Sequence, residues 1–143
     1  MFDEVRYERL KAETHPTIKQ FIHLIESHCH EQRVTKFYAN KLKVSEQKLA
    51  YLIFLNFNIS PVDILRFFLV KEILDKLATT DLRLKELTYT FGFKSQSNFT
   101  KFIRTYTGLT PSRYRALKCV KEILLFLIIS VFESHLALNW SVV

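Results

Sequence analysis

The chain has 143 residues, 48% of them hydrophobic, which is enough for a single domain with a hydrophobic core. It holds only two glycines and three prolines, and because β-hairpins depend on such turn residues, the composition favours an all-α fold. Two cysteines, Cys29 and Cys119, are too few for a secreted disulfide framework, and the polar N-terminal stretch is unlike a signal peptide. We therefore expect a cytoplasmic protein.

The net charge of +7 is concentrated in one part of the chain. Residues 82–118 hold eight Lys or Arg residues and one acid, whereas residues 1–33 and residues 119–143 each carry a net charge of −1. A local basic surface attracts polyanions. Charge alone does not distinguish DNA, RNA and an anionic membrane as the partner.

Residues 1–15 form a charged lead-in, and Pro16 suits the first turn of a helix that we expect to run to about Glu31. The apolar stripe of this helix consists of Ile18, Phe21, Ile22, Ile25 and Cys29. The adjacent His28, Cys29 and His30 suggest a metal site. Neighbouring positions on a helix point about 100° apart, however, so these side chains cannot converge on one ion and we predict no metal site.

A first helix-turn-helix unit follows. Residues 34–42 predict a short helix, residues 43 and 44 a turn, and Ser45 the N-cap of a second helix. The inward face of the second helix consists of Leu49, Leu52, Ile53 and Phe57. Its outward face consists of Gln47, Lys48, Ala50, Tyr51, Phe54 and Leu55. With the preceding helix, this unit makes a first subdomain of residues 16–59.

A long helix is predicted next, over residues 60–79. Ser60, Pro61 and Asp63 are a strong start signal, with an N-cap hydroxyl, a proline at the first helical position and an acid two positions later. One apolar stripe consists of Val62, Leu65, Leu69, Ile73 and Leu77, and a second of Ile64, Phe67, Phe68 and Leu74. Two stripes predict burial on two sides, as in a helix that joins two subdomains.

Residues 80–118 predict a second helix-turn-helix subdomain. Gly92 suits the left-handed position after the first of its helices, Ser95 the N-cap of the next, and Gly108 its end. Thr110 and Pro111 begin a further helix. The inward stripe of the middle helix consists of Phe99, Phe102, Ile103 and Tyr106. Its outward face consists of Gln96, Ser97, Asn98, Thr100, Lys101, Arg104 and Thr105, which suit contacts with base edges and phosphates.

Two stretches of this subdomain resemble the signature of the AraC/XylS family of bacterial transcription regulators. They are Gly92-Phe93-x-Ser95-x-Ser97-x-Phe99 and Thr107-Gly108-x-Thr110-Pro111-Ser112-x-Tyr114-Arg115. The resemblance covers residues 34–118. It implies two helix-turn-helix units joined by a long central helix, with both recognition helices in successive major grooves of DNA. The DNA-contacting residues that it implies are Gln96, Ser97, Asn98, Thr100, Lys101 and Arg104 in the second unit, and Gln47, Lys48, Ala50 and Tyr51 in the first.

The first unit departs from the family pattern. Asn58 stands where the family usually has glycine, and because asparagine tolerates left-handed geometry it can still end the helix. Phe54 and Leu55 stand where the family usually has basic residues. Either the first unit is a weakened DNA reader, or these two side chains are covered by another segment such as the C-terminal tail.

The tail, residues 119–143, lies beyond the resemblance. Residues 123–132 are apolar except for Ser130, but ten residues are half of the roughly 20 that a membrane-spanning helix needs. We predict an extra apolar C-terminal helix and no membrane span. A buried helix, a surface for a homodimer or protein partner, membrane association and a non-native end all stay open.

The primary hypothesis is a sequence-specific transcription regulator whose partner is double-stranded DNA. The alternative is a protein-interaction module that retains the helix-turn-helix fold with weakened DNA binding. No nucleophile–base pair, carboxylate pair or glycine-rich phosphate loop is evident in the sequence, so we expect neither an enzyme nor a cofactor. The first 33 residues leave no room for a sensor domain, so we expect no small-molecule effector within this chain.

Overall fold

The computed structural model describes residues 15–118 together with positions 5, 8, 9 and 12. The regular elements of the described chain are all helices, and it contains no strand. The helices are α1 (Pro16–His28), α2 (Thr35–Lys41), α3 (Glu46–Phe57), α4 (Pro61–Thr79), α5 (Leu84–Thr90), α6 (Gln96–Thr107) and α7 (residues 111–118). The all-α prediction is confirmed, with two helix-turn-helix units, α2–α3 and α5–α6, joined by the long α4. The predicted C-terminal helix falls outside the described residues.

The two units have the same local design. Helices α3 and α6 each contain 12 residues, and equivalent positions differ by 50 in number. The Oγ atom of Ser45 accepts a hydrogen bond from the Lys48 N–H at 3.1 Å, and that of Ser95 accepts one from the Asn98 N–H at 3.2 Å. Both predicted N-caps are therefore confirmed, and each removes one of the unpaired N–H groups at the start of a helix.

Left-handed residues end the helices and shape both turns. Asn58 ends α3 with φ 54°, and Gly108 ends α6 with φ 74°, as predicted. In the second turn Gly92 has φ 64°, and in the first turn Lys43 takes up the corresponding geometry with φ 54°. Because a side chain at positive φ is strained, the first turn is the less favourable of the two.

Helix α4 supplies the centre of two separate hydrophobic cores. Ile64, Leu65 and Phe68 join the first core, which α1, α2 and α3 complete. The second core combines α4 residues with α5 and α6 and consists of Leu69, Ile73, Leu77, Leu87, Phe91, Phe99 and Ile103. The predicted burial of α4 on two sides is confirmed. Its cap is confirmed too, since Ser60 and Asp63 exchange the two hydrogen bonds of a capping box.

Two details of the prediction are wrong. Val62 was placed in a buried stripe but is 37% exposed, because it lines a cleft between the two units. Helix α1 ends at His28 instead of about Glu31. The His28 carbonyl accepts hydrogen bonds from the N–H groups of Glu31 and Gln32, at 3.0 and 2.8 Å, and these bonds turn the chain towards α2.

Arg33 connects the segment before α2 with the second unit. Its guanidinium carbon lies 4.5 Å from the centroid of the Phe93 ring, in the α5–α6 turn. Phe93 packs in turn on Phe99 and Phe102 of α6, with ring centroids 5.3 Å apart in each pair. Partial burial lowers the pKa of Arg33, and a guanidinium within about 6 Å of a ring centroid is attracted to the aromatic face. Arg33 therefore fastens the two units to each other at the base of α6.

We predict that Gly108→Ala lowers the free energy of unfolding by about 1 kcal/mol, because φ 74° disfavours a side chain. No described atom lies within 4 Å of the position that a Cβ would take, so the cost comes from the backbone alone. Chemical denaturation followed by circular dichroism measures the effect. Gly108→Asn reproduces the end of α3 and should cost less; equal losses in the two variants would contradict this explanation.

We predict that Arg33→Ala lowers the free energy of unfolding by about 1 kcal/mol, and that Arg33→Lys lies between it and the parent. Lys41→Ala is the matched control, because Lys41 Nζ lies 5.8 Å from the Phe37 ring centroid within the first unit. Thermal and denaturant unfolding compare the three variants. If Arg33→Ala costs no more than Lys41→Ala, the contact between the units contributes nothing of its own.

Candidate nucleic-acid interface

The outward face of α6 is polar and cationic. The Gln96, Ser97, Asn98, Lys101 and Arg104 side chains are exposed, and that of Thr100 is half-buried. On the opposite side, Phe99 and Ile103 are fully buried in the second core. The structure thus brings all six predicted contact residues of the second unit onto one helix, held from behind by close packing.

These side chains provide the groups that major-groove recognition uses. The amides of Gln96 and Asn98 can each donate to and accept from one base edge, and the hydroxyls of Ser97 and Thr100 can contact bases or phosphates. Lys101 and Arg104 add two positive charges along the face, and Lys94 is exposed in the preceding turn. A duplex approaching α6 therefore meets amide groups and cations on a single surface.

An aromatic cluster holds α6 against its turn. Besides its contacts with Phe93, the Phe102 ring lies 5.0 Å from the ring of Tyr106. Neither Phe93 nor Phe102 is fully exposed, and both pack on the second core. This cluster and Arg33 together pack α6 against the preceding turn.

Arg115 has a structural role. Its Nε donates to the Leu77 carbonyl at 3.0 Å, and a terminal guanidinium nitrogen donates to the Leu82 carbonyl at 2.7 Å. Both acceptors lie at the C-terminal end of α4 or just after it. Arg115 thus pairs with the C-terminal end of α4, and these bonds connect α7 to α4. Arg113, two residues earlier, stays exposed.

The outward face of α3 is different. Gln47, Lys48 and Tyr51 are exposed and Ala50 is half-buried, so the four predicted residues share one side of the helix. Phe54 and Leu55, at 56% and 61% exposure, extend this side as an apolar surface. Beside it lies a shallow cleft of about 330 Å³, lined by Ala50, Tyr51, Phe54, Ile59, Ser60 and Pro61.

The His28-Cys29-His30 run does not form a metal site. His28 packs on the Phe37 ring at 5.5 Å, whereas Cys29 Sγ donates to Glu72 Oε2 at 3.1 Å. Within the described chain, no three His, Cys, Asp or Glu side chains are placed to hold an ion. Burial and, to a smaller extent, the hydrogen bond to Glu72 raise the pKa of the Cys29 thiol to about 12, so the thiol stays protonated at neutral pH.

Tyr38 is a second buried side chain that carries a polar group. Its hydroxyl donates to the Gln32 carbonyl at 2.7 Å, and burial raises the pKa of the phenol above its ordinary value. This bond fixes the segment that carries Arg33. The contact between Arg33 and Phe93 was not predictable, because the two residues are distant in the chain. Phe93 belongs to the family signature, but that signature does not include its partner.

None of the described helices is by itself long and apolar enough to cross a membrane. Helices α3 and α4 satisfy length and composition only when taken together, and they meet at an angle of 74°.

Comparison with protein families gives one match, to a helix-turn-helix domain over residues 38–117, which is more than half of the chain. The matched region runs from α2 to α7 and so contains both units and the helix between them. No curated protein sequence matches the chain.

Several solved structures share the fold. One is a transcriptional regulator of the AraC-type DNA-binding domain-containing proteins from Chromobacterium violaceum, with 21% identity, 72% of this chain and 92% of that chain covered, and a TM-score of 0.67. Another is the C-terminal domain of the two-component response regulator yesN from Fusobacterium nucleatum, with 26% identity, coverages of 68% and 95%, and a TM-score of 0.62.

A third is the DNA-binding domain of the global transcriptional factor AdpA, solved in complex with a target DNA. It has 21% identity, coverages of 76% and 96%, and a TM-score of 0.65. The family match, the shared arrangement of two units around α4 and the signature residues of the second unit agree with one another. The chain belongs to the AraC/XylS family of helix-turn-helix domains, the DNA-binding domains of transcription regulators.

Proposed function

We propose that this chain binds double-stranded DNA in a sequence-specific manner and regulates transcription, with α6 as its principal recognition helix. The observation that carries the proposal is the face of α6, where amides, hydroxyls and cations lie exposed opposite a fully buried stripe. A helix that only faces solvent does not require amides, hydroxyls and cations together on one face with close packing on the other. The concentration of positive charge in residues 82–118 supports the same partner.

Each of the six predicted contact residues of α6 has a proposed role. Gln96 and Asn98 contact adenines, because their amides can form two hydrogen bonds to one adenine edge. Lys101 contacts guanine or phosphate, and Arg104 contacts the DNA backbone. Ser97 and Thr100 provide hydroxyls on the same surface. In the first unit we assign Gln47, Lys48, Ala50 and Tyr51 to the equivalent face of α3.

A second candidate function is that of a protein-interaction module, and a specific observation favours it. Tyr51, Phe54 and Leu55 are all more than half exposed on α3, and exposed apolar groups of this size often mark protein interfaces. A stable oligomer without affinity for DNA at low salt would support this candidate. A cytoplasmic location, the lack of catalysis and the lack of an internal effector stay predictions of the sequence.

In vitro selection from a random duplex library, with bound sites identified by sequencing, tests the proposal. Enrichment of two sequence blocks about one helical turn apart would show that both units recognise DNA, and a single block would assign recognition to one unit. The logarithm of the binding constant should also fall linearly with the logarithm of salt concentration. A library without enrichment, together with a flat salt response, would rule out DNA as the partner.

We predict that Gln96→Ala weakens binding to the selected site by about 1–3 kcal/mol and relaxes the preference at one position, because one bidentate contact is lost. Fluorescence anisotropy with the selected duplex and its single-base variants measures both effects. Gln20→Ala is the matched control, since Gln20 is an exposed glutamine on α1, away from either recognition helix. If the variant discriminates between selected and scrambled DNA as well as the parent does, Gln96 does not contact a base.

A further inference from the structure

Helices α3 and α6 carry opposite chemistry at equivalent exposed positions. Because the two helices have the same length and caps, Tyr51 corresponds to Lys101, Phe54 to Arg104 and Leu55 to Thr105. The second unit therefore presents two cations and a hydroxyl where the first unit presents two aromatic rings and an aliphatic side chain. The backbone that presents them is the same in both units.

In the described part of the chain, the apolar surface of α3 is exposed, and the tail that the sequence offers as a cover lies outside the described residues. Tyr51 is 62% exposed, Phe54 56% and Leu55 61%, although Leu49 and Ile53 on the other side of the same helix are fully buried. The three side chains are thus not needed for the first core. The cleft next to them, with Ile59 and Pro61 in its walls, continues the apolar surface beyond α3.

The surroundings of this surface favour an anionic partner. Lys41, Lys43 and Lys48 are exposed in and around the first turn, and Glu46 is the only acid on α3. A ligand that fits has to combine negative charge at its edges with apolar groups at its centre. A DNA major groove does so, because phosphates border it and the 5-methyl group of thymine is the apolar group on its base edges.

We propose that α3 recognises thymine through its 5-methyl group, by apolar contact with Tyr51, Phe54 and Leu55. This inference rests on the proposed function, since it assigns a ligand chemistry to the recognition helix of the first unit. On this assignment, Phe54 and Leu55, which stand where the family usually has basic residues, change the chemical group that α3 recognises on DNA. Lys41, Lys43 and Lys48 supply the phosphate contacts, and the apolar surface supplies the base preference.

The dimensions of the surface set the size of the site. Tyr51 and Leu55 are four residues apart, about 6 Å along the helix axis, which corresponds to about two base-pair steps at 3.4 Å each. The block read by α3 should accordingly contain two or three neighbouring base pairs with thymine methyl groups in the major groove. The block read by α6 should instead depend on hydrogen-bonding groups.

Replacement of thymine by deoxyuridine removes only the methyl group and so tests the proposal directly. The two blocks come from the selection experiment, and the block whose preference Gln96→Ala alters belongs to α6. In the other block, each contacted thymine should contribute about fourfold to affinity, because burial of one methyl group has about that effect. Affinities are measured by fluorescence anisotropy on synthetic duplexes with single replacements.

Substitutions on α3 test whether the loss of affinity caused by deoxyuridine depends on this helix. Phe54→Ala should bring the affinities for thymine and deoxyuridine duplexes close together, and circular dichroism verifies that the variant is folded. Tyr89→Ala is the control, because Tyr89 is an aromatic residue 66% exposed on α5, outside both recognition helices, and should leave the methyl dependence intact. Phe54→Arg copies its counterpart Arg104 and should bind with a steeper salt dependence and without methyl dependence.

Several results would overturn the proposal. A block for α3 without thymine, or an effect of deoxyuridine below about twofold in that block, would show that methyl groups are not read. Enrichment of the α6 block alone would also contradict the recognition of methyl groups by α3. It would still agree with the proposed function, because α6 would bind DNA. If no block is enriched and the salt response is flat, the proposed function fails as well. A stable oligomer that Phe54→Ala dissociates would in that case assign the apolar surface of α3 to a protein partner.

Discussion

The fold depends on the burial of one helix on two sides. Helix α4 contributes Ile64, Leu65 and Phe68 to the first core and, from its next residue onwards, Leu69, Ile73 and Leu77 to the second. Neither unit could bury its own apolar side chains without it. The distance and angle between α3 and α6 are consequently set by a single rigid element. Arg33 and Arg115 reinforce this arrangement near the two ends of α4, one by contact with an aromatic ring and the other by bonds to carbonyl groups.

The two units use the same backbone for different surfaces. Their serine caps, left-handed ends and turn hydrogen bonds agree closely, and Val44 and Phe93 donate to equivalent carbonyls at 3.1 and 2.9 Å. The residues that face outward do not agree. Local geometry depends on a few capping and turn positions, whereas the chemistry of the face depends on the positions between them. The latter can therefore change without cost to the fold.

Much of this structure was predictable from the sequence, and the reason is local. Ser45, Ser95, Pro61 and Gly108 act through bonds or dihedral angles within one turn of their own position, so their effect is visible in the sequence pattern. The two stripes of α4 are periodic and were recognisable in the same way. The contacts between Arg33 and Phe93 and between Cys29 and Glu72 depend on tertiary packing, which periodicity does not encode. Val62 was predicted to be buried for this reason, since it lies in line with buried residues of α4 but at the cleft between the units.

The residues of both outward faces were identified correctly as a surface, although their contacts with a ligand stay predictions.

The different outward faces of α3 and α6 have a consequence for the kind of DNA site that the chain can recognise. A symmetric dimer of identical recognition helices binds a palindrome, which is the same in both orientations. On the proposed function, a single chain with two different faces, held at a fixed angle by α4, recognises a site that has a direction. If both faces bind DNA, inverting such a site relative to a promoter exchanges which unit lies nearer the start of transcription. The site then specifies the orientation of the bound protein as well as its position, and a single chain is enough to recognise it.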